Sequence, residues 1–113
     1  MKHKDIIILK KILDYCQQVD DACTMFESDF QRFVENSVFH NACCMCILQI
    51  GELCKVVSDE LRKEEPGIPW KAWCGIRDVF AHQYSNVDYQ SAWDTIKIDL
   101  PELEQEVKRL LNK

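Results

Sequence analysis

Apolar side chains recur every three or four residues at the start of the chain, between charged and amide ones. The positions are Leu9, Ile12, Leu13, Cys16, Val19, Cys23 and Phe26. On an α-helix this spacing places them on one stripe. The pattern predicts a helix from about Asp5 to Phe26 whose apolar stripe faces the core.

A short helix and a long one are predicted next. Ser28, with Gln31 three residues later, has the form of a capping box. The inner side of this short helix would consist of Phe30, Phe33 and Val34. Asn36 and Ser37 indicate a bend or a second helix start.

Apolar positions then continue as far as Glu64. They are Val38, Ala42, Met45, Leu48, Cys54, Val57 and Leu61. They predict one helix of roughly 28 residues, about 42 Å long at 1.5 Å per residue. Because glycine within a helix costs about 0.5 to 1 kcal/mol relative to alanine, we expect close helix approach at Gly51.

Glycine and proline cluster once, in the stretch EEPGIPW, which interrupts the helical pattern. Helical spacing resumes in Trp70, Trp73, Ile76, Phe80 and Ala81. Turn and capping residues at Ser85, Asn86 and Asp88 precede a fourth helix. Its spaced residues are Tyr89, Ala92, Trp93 and Ile96.

A last helix begins around Pro101, preceded by Asp99 or Leu100. These elements predict an all-α single domain over residues 1–113, a bundle of four or five antiparallel helices.

Composition narrows the class of protein. With 113 residues, 47% of them apolar and 29% charged, we expect one globular core. No bilayer-length apolar run and no secretory signal is visible, so we expect a cytoplasmic protein without a membrane partner. The seven cysteines are therefore expected to be reduced thiols that pack as small hydrophobes.

A net charge of −5 excludes a broad basic surface for nucleic acid, so any anion site must be local.

The stretch RDVFAHQY places four chemically active side chains together: Arg77, Asp78, His82 and Tyr84. On one continuous helix Arg77 and Tyr84 lie about 20° apart, whereas Arg77 and His82 diverge by about 140°. Either the helix unwinds before His82, or Arg77 and His82 of two subunits meet across a dimer interface. Spacing alone favours a solvated helix end with Phe80 and Ala81 packed inward.

The wider context changes that interpretation. A long helix containing IGEL, the joint GIPW, the motif R-D-x3-H-x-Y and a helix carrying LPEL occur in this order. From about residue 36 to the end, the chain resembles the HepT-like branch of the HEPN superfamily. These are small helical prokaryotic proteins described as toxins paired with a minimal nucleotidyltransferase antitoxin.

The resemblance implies roles for individual residues. Arg77 and His82 match the R-x4-6-H ribonuclease signature, and Asp78 matches the polar residue that follows the arginine. Tyr84 matches the tyrosine of the H-x-Y extension, where the partner nucleotidyltransferase attaches AMP. The resemblance thus implies an endoribonuclease toxin of a type VII-like pair, neutralised by adenylylation of Tyr84. Glu52, in IGEL, is either an exposed helix acid, which is the default, or a buried partner of Arg77 or of a backbone group near the joint.

The chemistry suits these groups without a metal or cofactor. RNA carries its own 2′-hydroxyl nucleophile. Cleavage therefore needs a base for the 2′ proton, an acid for the leaving 5′-oxygen and a cation that stabilises the phosphorane. Arg77 supplies a fixed cation, and an imidazole such as His82 can perform either proton task. One imidazole cannot conveniently perform both at once, which argues for a symmetric homodimer with the motif at its interface.

Two rival interpretations use the same sequence. The bundle could be a noncatalytic interaction module that docks a nucleotidyltransferase, which the acidic net charge favours. A thiol or metal sensor built on His40 and the cysteines Cys43, Cys44 and Cys46 is weaker, because no second ligand pair accompanies HNACCMC. Core or interface thiols are the favoured interpretation of that segment.

Overall fold

The structure, a computed structural model, describes residues 1–77, 80 and 88–113. Every secondary-structure element in those ranges is a helix and none is a strand, as the sequence predicts. The helices are α1 (His3–Met25), α2 (Phe30–Glu35), α3 (Ser37–Lys55), α4 (Asp59–Glu64), α5 (Trp70–Cys74), α6 (Tyr89–Asp94) and α7 (Leu100–Leu111), with a π-helical turn (Thr95–Asp99) between the last two.

The core lies between α1 and α3, with α7 packed on α1 and α5 packed on α3. The predicted stripe of α1 is confirmed, since its central residues are buried: Ile8, Leu9, Ile12, Cys16, Val19 and Cys23. The inner side of α3 is buried through Phe39, Cys43, Ile47, Ile50 and Cys54. Six of the seven cysteines are buried free thiols, so they do pack as small hydrophobes.

The cap of α2 differs from the prediction. Asp29, not Ser28, caps the helix, and its Oδ1 accepts a hydrogen bond from the Gln31 amide at 2.9 Å. Ser28 instead helps to end α1: its φ is 50°, and its amide donates to the Cys23 carbonyl at 2.7 Å. Asn36 caps α3, as predicted, through its side-chain oxygen.

The single long helix predicted between Ser37 and Glu64 is wrong, because the chain turns a corner between α3 and α4. At this corner Ser58 caps α4 by accepting from the Leu61 amide. The buried Asp5 carboxylate in turn accepts from the Ser58 amide at 2.9 Å and from the Ser58 hydroxyl at 2.5 Å. Helix α3 therefore has 19 residues and is about 28 Å long.

Removing the carboxylate at this corner should destabilise the protein. Asp5→Ala leaves a buried amide and hydroxyl unpaired, and we expect the free energy of unfolding to fall by about 2 kcal/mol. Asp14 lies exposed on the same helix, and Asp14→Ala serves as the matched control. Urea denaturation followed by circular dichroism measures both, and equal midpoints for the two variants would contradict the assigned role of Asp5.

The last helix begins at Leu100 and has Pro101 in its first turn, as predicted. The π-helical turn joins this helix to α6 without a non-helical break. In this turn the Leu100 amide donates to the carbonyl of Thr95, five residues back. A proline has no amide proton and its ring clashes with the carbonyl four residues earlier, so one wider turn before Pro101 relieves the conflict.

One side of α3 is exposed although it carries apolar residues. Val38 is 70% exposed, Met45 is 57% exposed and Ala42 is exposed too, because α1, α2 and α5 pack on other sides of the helix. We call this surface the outer α3 face; it comprises Val38, Ala42, Met45, Gln49 and Glu52. Among the described helices only α3 has the length and apolar composition of a membrane span, a test that core helices of soluble proteins also pass.

Candidate active site

The joint between α4 and α5 sets the direction in which the motif starts. Trp70 and Trp73 are buried, and the Trp70 indole N–H donates to the Glu65 carbonyl at 3.1 Å. Pro66 and Pro69 lie within the turn that this hydrogen bond closes. The joint thereby sets where α5 begins, and α5 packs against α3.

Gly51 is the point of closest approach between these two helices. A Cβ at this position would lie 2.8 Å from the Trp73 carbonyl oxygen and 2.6 Å from Ile76 Cγ2. The close approach expected from the sequence is confirmed. It brings the chain just after α5 alongside the α3 residue that follows Gly51, which is Glu52.

Arg77 and Glu52 meet at this surface. An Arg77 guanidinium nitrogen lies 3.6 Å from Glu52 Oε1, which also accepts from Lys55 Nζ at 3.1 Å. The Arg77 side chain is 69% exposed and that of Glu52 is 43% exposed, so the pair is a surface ion pair and not a buried one. Such pairs hold side chains weakly, and the Arg77 guanidinium remains accessible to an anion.

The other candidate residues fall where the structure gives no description. Asp78, His82 and Tyr84 lie outside the described residues, so their geometry relative to Arg77 stays a prediction. Phe80, between them, is 1% exposed, as the helical spacing predicted. The structure thus brings together Arg77 and Glu52 from the predicted set.

The described chain resumes beside the start of α3. Asp88 caps α6 by accepting from the Ser91 amide at 3.1 Å, and its hydrogen bonds to Ser91 lower the pKa of its carboxyl. The Tyr89 ring contacts the His40 ring at 4.9 Å between centroids. Arg77 and Tyr89 therefore both contact residues of α3.

His40 belongs to an aromatic cluster, which the sequence did not reveal. Its ring lies 4.9 Å from that of Phe33 as well as from Tyr89, and burial lowers its pKa. Cys44 Sγ lies 3.7 Å from His40 Nε2. No group of three or more potential metal ligands forms among the described residues.

Burial suppresses the reactivity of several thiols, with a measurable consequence. It raises the pKa values of Cys16, Cys44 and Cys54 to about 12, so these thiols stay protonated at pH 8. Cys74 is half-buried. We expect Ellman's reagent at pH 8 to modify Cys74 first in the native protein, and Cys74→Ser to remove this fast phase. A fast phase that persists in Cys74→Ser would contradict the burial of the other thiols.

Comparison with known proteins identifies the family. The model of the family described as "Ribonuclease HepT-like" matches residues 12–110. A "Putative RNase" of Methanocaldococcus jannaschii is 34% identical over 113 residues, covering 98% of this chain and 95% of the relative. A "Putative RNase" of Caldanaerobacter subterraneus is 38% identical over 84 residues, covering 74% of this chain and 75% of the relative.

A third relative extends the range of organisms. A protein of Thermococcus cleftensis named "Probable ribonuclease HepT" is 28% identical over 102 residues, covering 86% of this chain and 93% of the relative. No solved structure matches the chain. The family model spans most of the chain, including α3, α5 and Arg77. The chain therefore belongs to the HepT-like ribonuclease family.

Proposed function

We propose that this protein is a metal-independent endoribonuclease that cleaves RNA in the cytoplasm. The observation that carries the proposal is an accessible Arg77 guanidinium, held only by a surface ion pair, in a chain of a ribonuclease family. Arginine supplies a permanently charged fork that matches phosphate oxygens. On a protein with a net charge of −5, an accessible arginine provides the local positive charge that binding of an RNA phosphate requires.

In the proposed reaction the RNA 2′-oxygen attacks the adjacent phosphorus while the bond from phosphorus to the 5′-oxygen breaks. One His82 imidazole takes the 2′ proton, and a protonated His82 from the second copy gives a proton to the leaving 5′-oxygen. Arg77 stabilises the negative charge on the phosphorane, and Asp78 orients His82 or Arg77. The products are a 2′,3′-cyclic phosphate and a 5′-hydroxyl, so neither a metal nor a cofactor is required.

A homodimer completes this site. The outer α3 face presents Val38, Ala42 and Met45 to solvent at the spacing of a helix-packing seam, and it ends at Glu52 beside Arg77. Pairing two such faces buries apolar area and brings the two Arg77 residues to one interface. This continuity between an exposed apolar stripe and the candidate site supports the symmetric dimer.

A charge in the middle of the outer α3 face should separate the subunits. Met45→Glu places a carboxylate opposite the same carboxylate of the second subunit. We expect sedimentation to show mostly monomer at concentrations where the wild type is dimeric. Lys63→Glu, on the exposed side of α4, is the control for a charge change elsewhere. A Met45→Glu variant that remains dimeric would exclude this face as the interface.

Regulation by a nucleotidyltransferase antitoxin forms the second part of the proposal. Transfer of AMP to Tyr84 adds bulk and negative charge next to the phosphate site, which repels RNA and occupies its place. The protein would then be the toxin of a type VII-like pair. Family membership supports this part, which concerns residues outside the described ranges.

The test is RNA digestion by the purified protein in excess chelator. We expect cleavage that leaves 2′,3′-cyclic phosphate ends, and we expect His82→Ala to remove it. Cleavage that chelator abolishes, or that His82→Ala leaves unchanged, would defeat the proposed mechanism.

A noncatalytic docking module is the second candidate, which the acidic net charge favours. Incubation with the nucleotidyltransferase partner and ATP separates the two candidates by mass spectrometry. AMP on Tyr84 supports toxin control, whereas a stable unmodified complex without RNA cleavage supports docking alone.

A further inference from the structure

A groove of about 380 Å³ lies between α5 and the start of α7, and the proposed reaction does not use it. Its first wall is apolar and consists of Pro69, Ala72 and Ile76, which follow the helical spacing i, i+3, i+7. Pro69 and Ala72 are exposed and Ile76 is half-buried, so this wall is open to contact. The groove also touches the buried residues Trp73 and Leu103.

The second wall is acidic and has the same spacing. It consists of Asp99, at the end of the π-helical turn, with Glu102 and Glu106 on α7. Glu106 accepts from Arg109 Nε at 2.8 Å, which neutralises it. Asp99 and Glu102 are exposed and form no ion pair with any other described residue. Two carboxylates therefore lie next to the apolar wall without a cationic partner among the described residues.

The two walls together specify the shape and charge of an occupant. In each wall the first and last residues are seven positions apart, about 10.5 Å or two helical turns, so the complement of the wall is a helix of that length. One side of such a helix must be apolar to cover Ala72 and Ile76, and the neighbouring side must be basic to face Asp99 and Glu102. RNA is excluded as the occupant because its phosphates would meet the carboxylates.

We infer that this groove docks a basic amphipathic helix of a partner protein. Apolar side chains of the partner pack on the α5 wall, and its lysine or arginine side chains pair with Asp99 and Glu102. The groove adjoins the candidate site, since its residue Ile76 precedes Arg77 in the chain and also packs against Gly51. The docked helix would therefore contact the segment that leads directly into Arg77.

The experiment uses the full chain and a synthetic helical peptide of about twelve residues, with leucines on one stripe and arginines on the next. A second peptide carries glutamates in place of the arginines. We expect fluorescence anisotropy to show binding of the basic peptide alone. Asp99→Asn/Glu102→Gln should weaken it at least about tenfold, and Ala72→Glu should weaken it as well.

The control removes the same charge elsewhere. Asp14→Asn/Asp21→Asn neutralises two exposed carboxylates on α1 and should leave peptide affinity unchanged within about twofold. Thermal unfolding shows whether each variant is folded. Since peptide binding is the readout, the result does not depend on whether the chain cuts RNA.

Three outcomes would overturn the inference. The first is that the wild type does not bind the basic peptide. The second is that the groove variant and the α1 control lose affinity equally, which would show nonspecific attraction. The third is a self-association of the wild type that only the groove variant loses in sedimentation, which would make a second copy of this chain the occupant.

Discussion

Arg77→Ala is expected to slow RNA cleavage at least about 100-fold, because removing one preorganised group that stabilises developing charge typically costs that much. The side chain is 69% exposed and its ion pair with Glu52 is a surface contact, so the free energy of unfolding should change little. Initial rates on a fluorescent RNA, together with urea denaturation, measure the two effects separately.

Two further variants refine the test. Arg77→Lys keeps the charge but loses the planar fork, and we expect an intermediate rate. Arg32→Ala is the matched control, since Arg32 is also exposed and also forms a surface ion pair, with Glu27 at 3.5 Å. A rate for Arg77→Ala equal to that of Arg32→Ala would remove Arg77 from the reaction.

Gly51→Ala should have the largest effect on stability, with a loss of about 3 kcal/mol in the free energy of unfolding. Alanine is the better helix former, so propensity alone would stabilise the variant. The new methyl group, however, would lie 2.8 Å from the Trp73 carbonyl oxygen. That oxygen belongs to the backbone and cannot rotate away, so α5 must move off α3.

The same displacement should reduce RNA cleavage, because Arg77 follows α5. Gly67→Ala is the matched control, since a methyl group at Gly67 would meet nothing within 4 Å. We expect Gly67→Ala to change stability by no more than about 0.5 kcal/mol. If urea denaturation gives equal midpoints for the two variants, close packing is not the reason for glycine at position 51.

The sequence predicted the helices well wherever local chemistry decides them. Three-and-four spacing located α1, proline and glycine located the joint before α5, and Asn36 marked the start of α3. The corner at Ser58 was missed because its partner, Asp5, is 53 residues away in the chain. Pro101 marked the start of α7 because proline suits the first turn of a helix.

The outer α3 face shows a different limit of sequence analysis. Apolar residues on two sides of a helix predict burial on both, but they do not distinguish the inside of a subunit from a contact between subunits. Val38 and Met45, two of the apolar residues whose spacing predicted the helix, are exposed. At the site, Gly51 indicated where α3 and α5 meet, and this places Glu52 beside Arg77. Roles for His82 and Tyr84 came only from the family motif.

The Asp5–Ser58 contact also bears on how the chain is made. Synthesis proceeds from the N-terminus, so Asp5 leaves the ribosome 53 residues before the group that it binds. Ser58 lies near the middle of the 113-residue chain, so this contact can fix the break between α3 and α4 only after about half of the polypeptide has emerged.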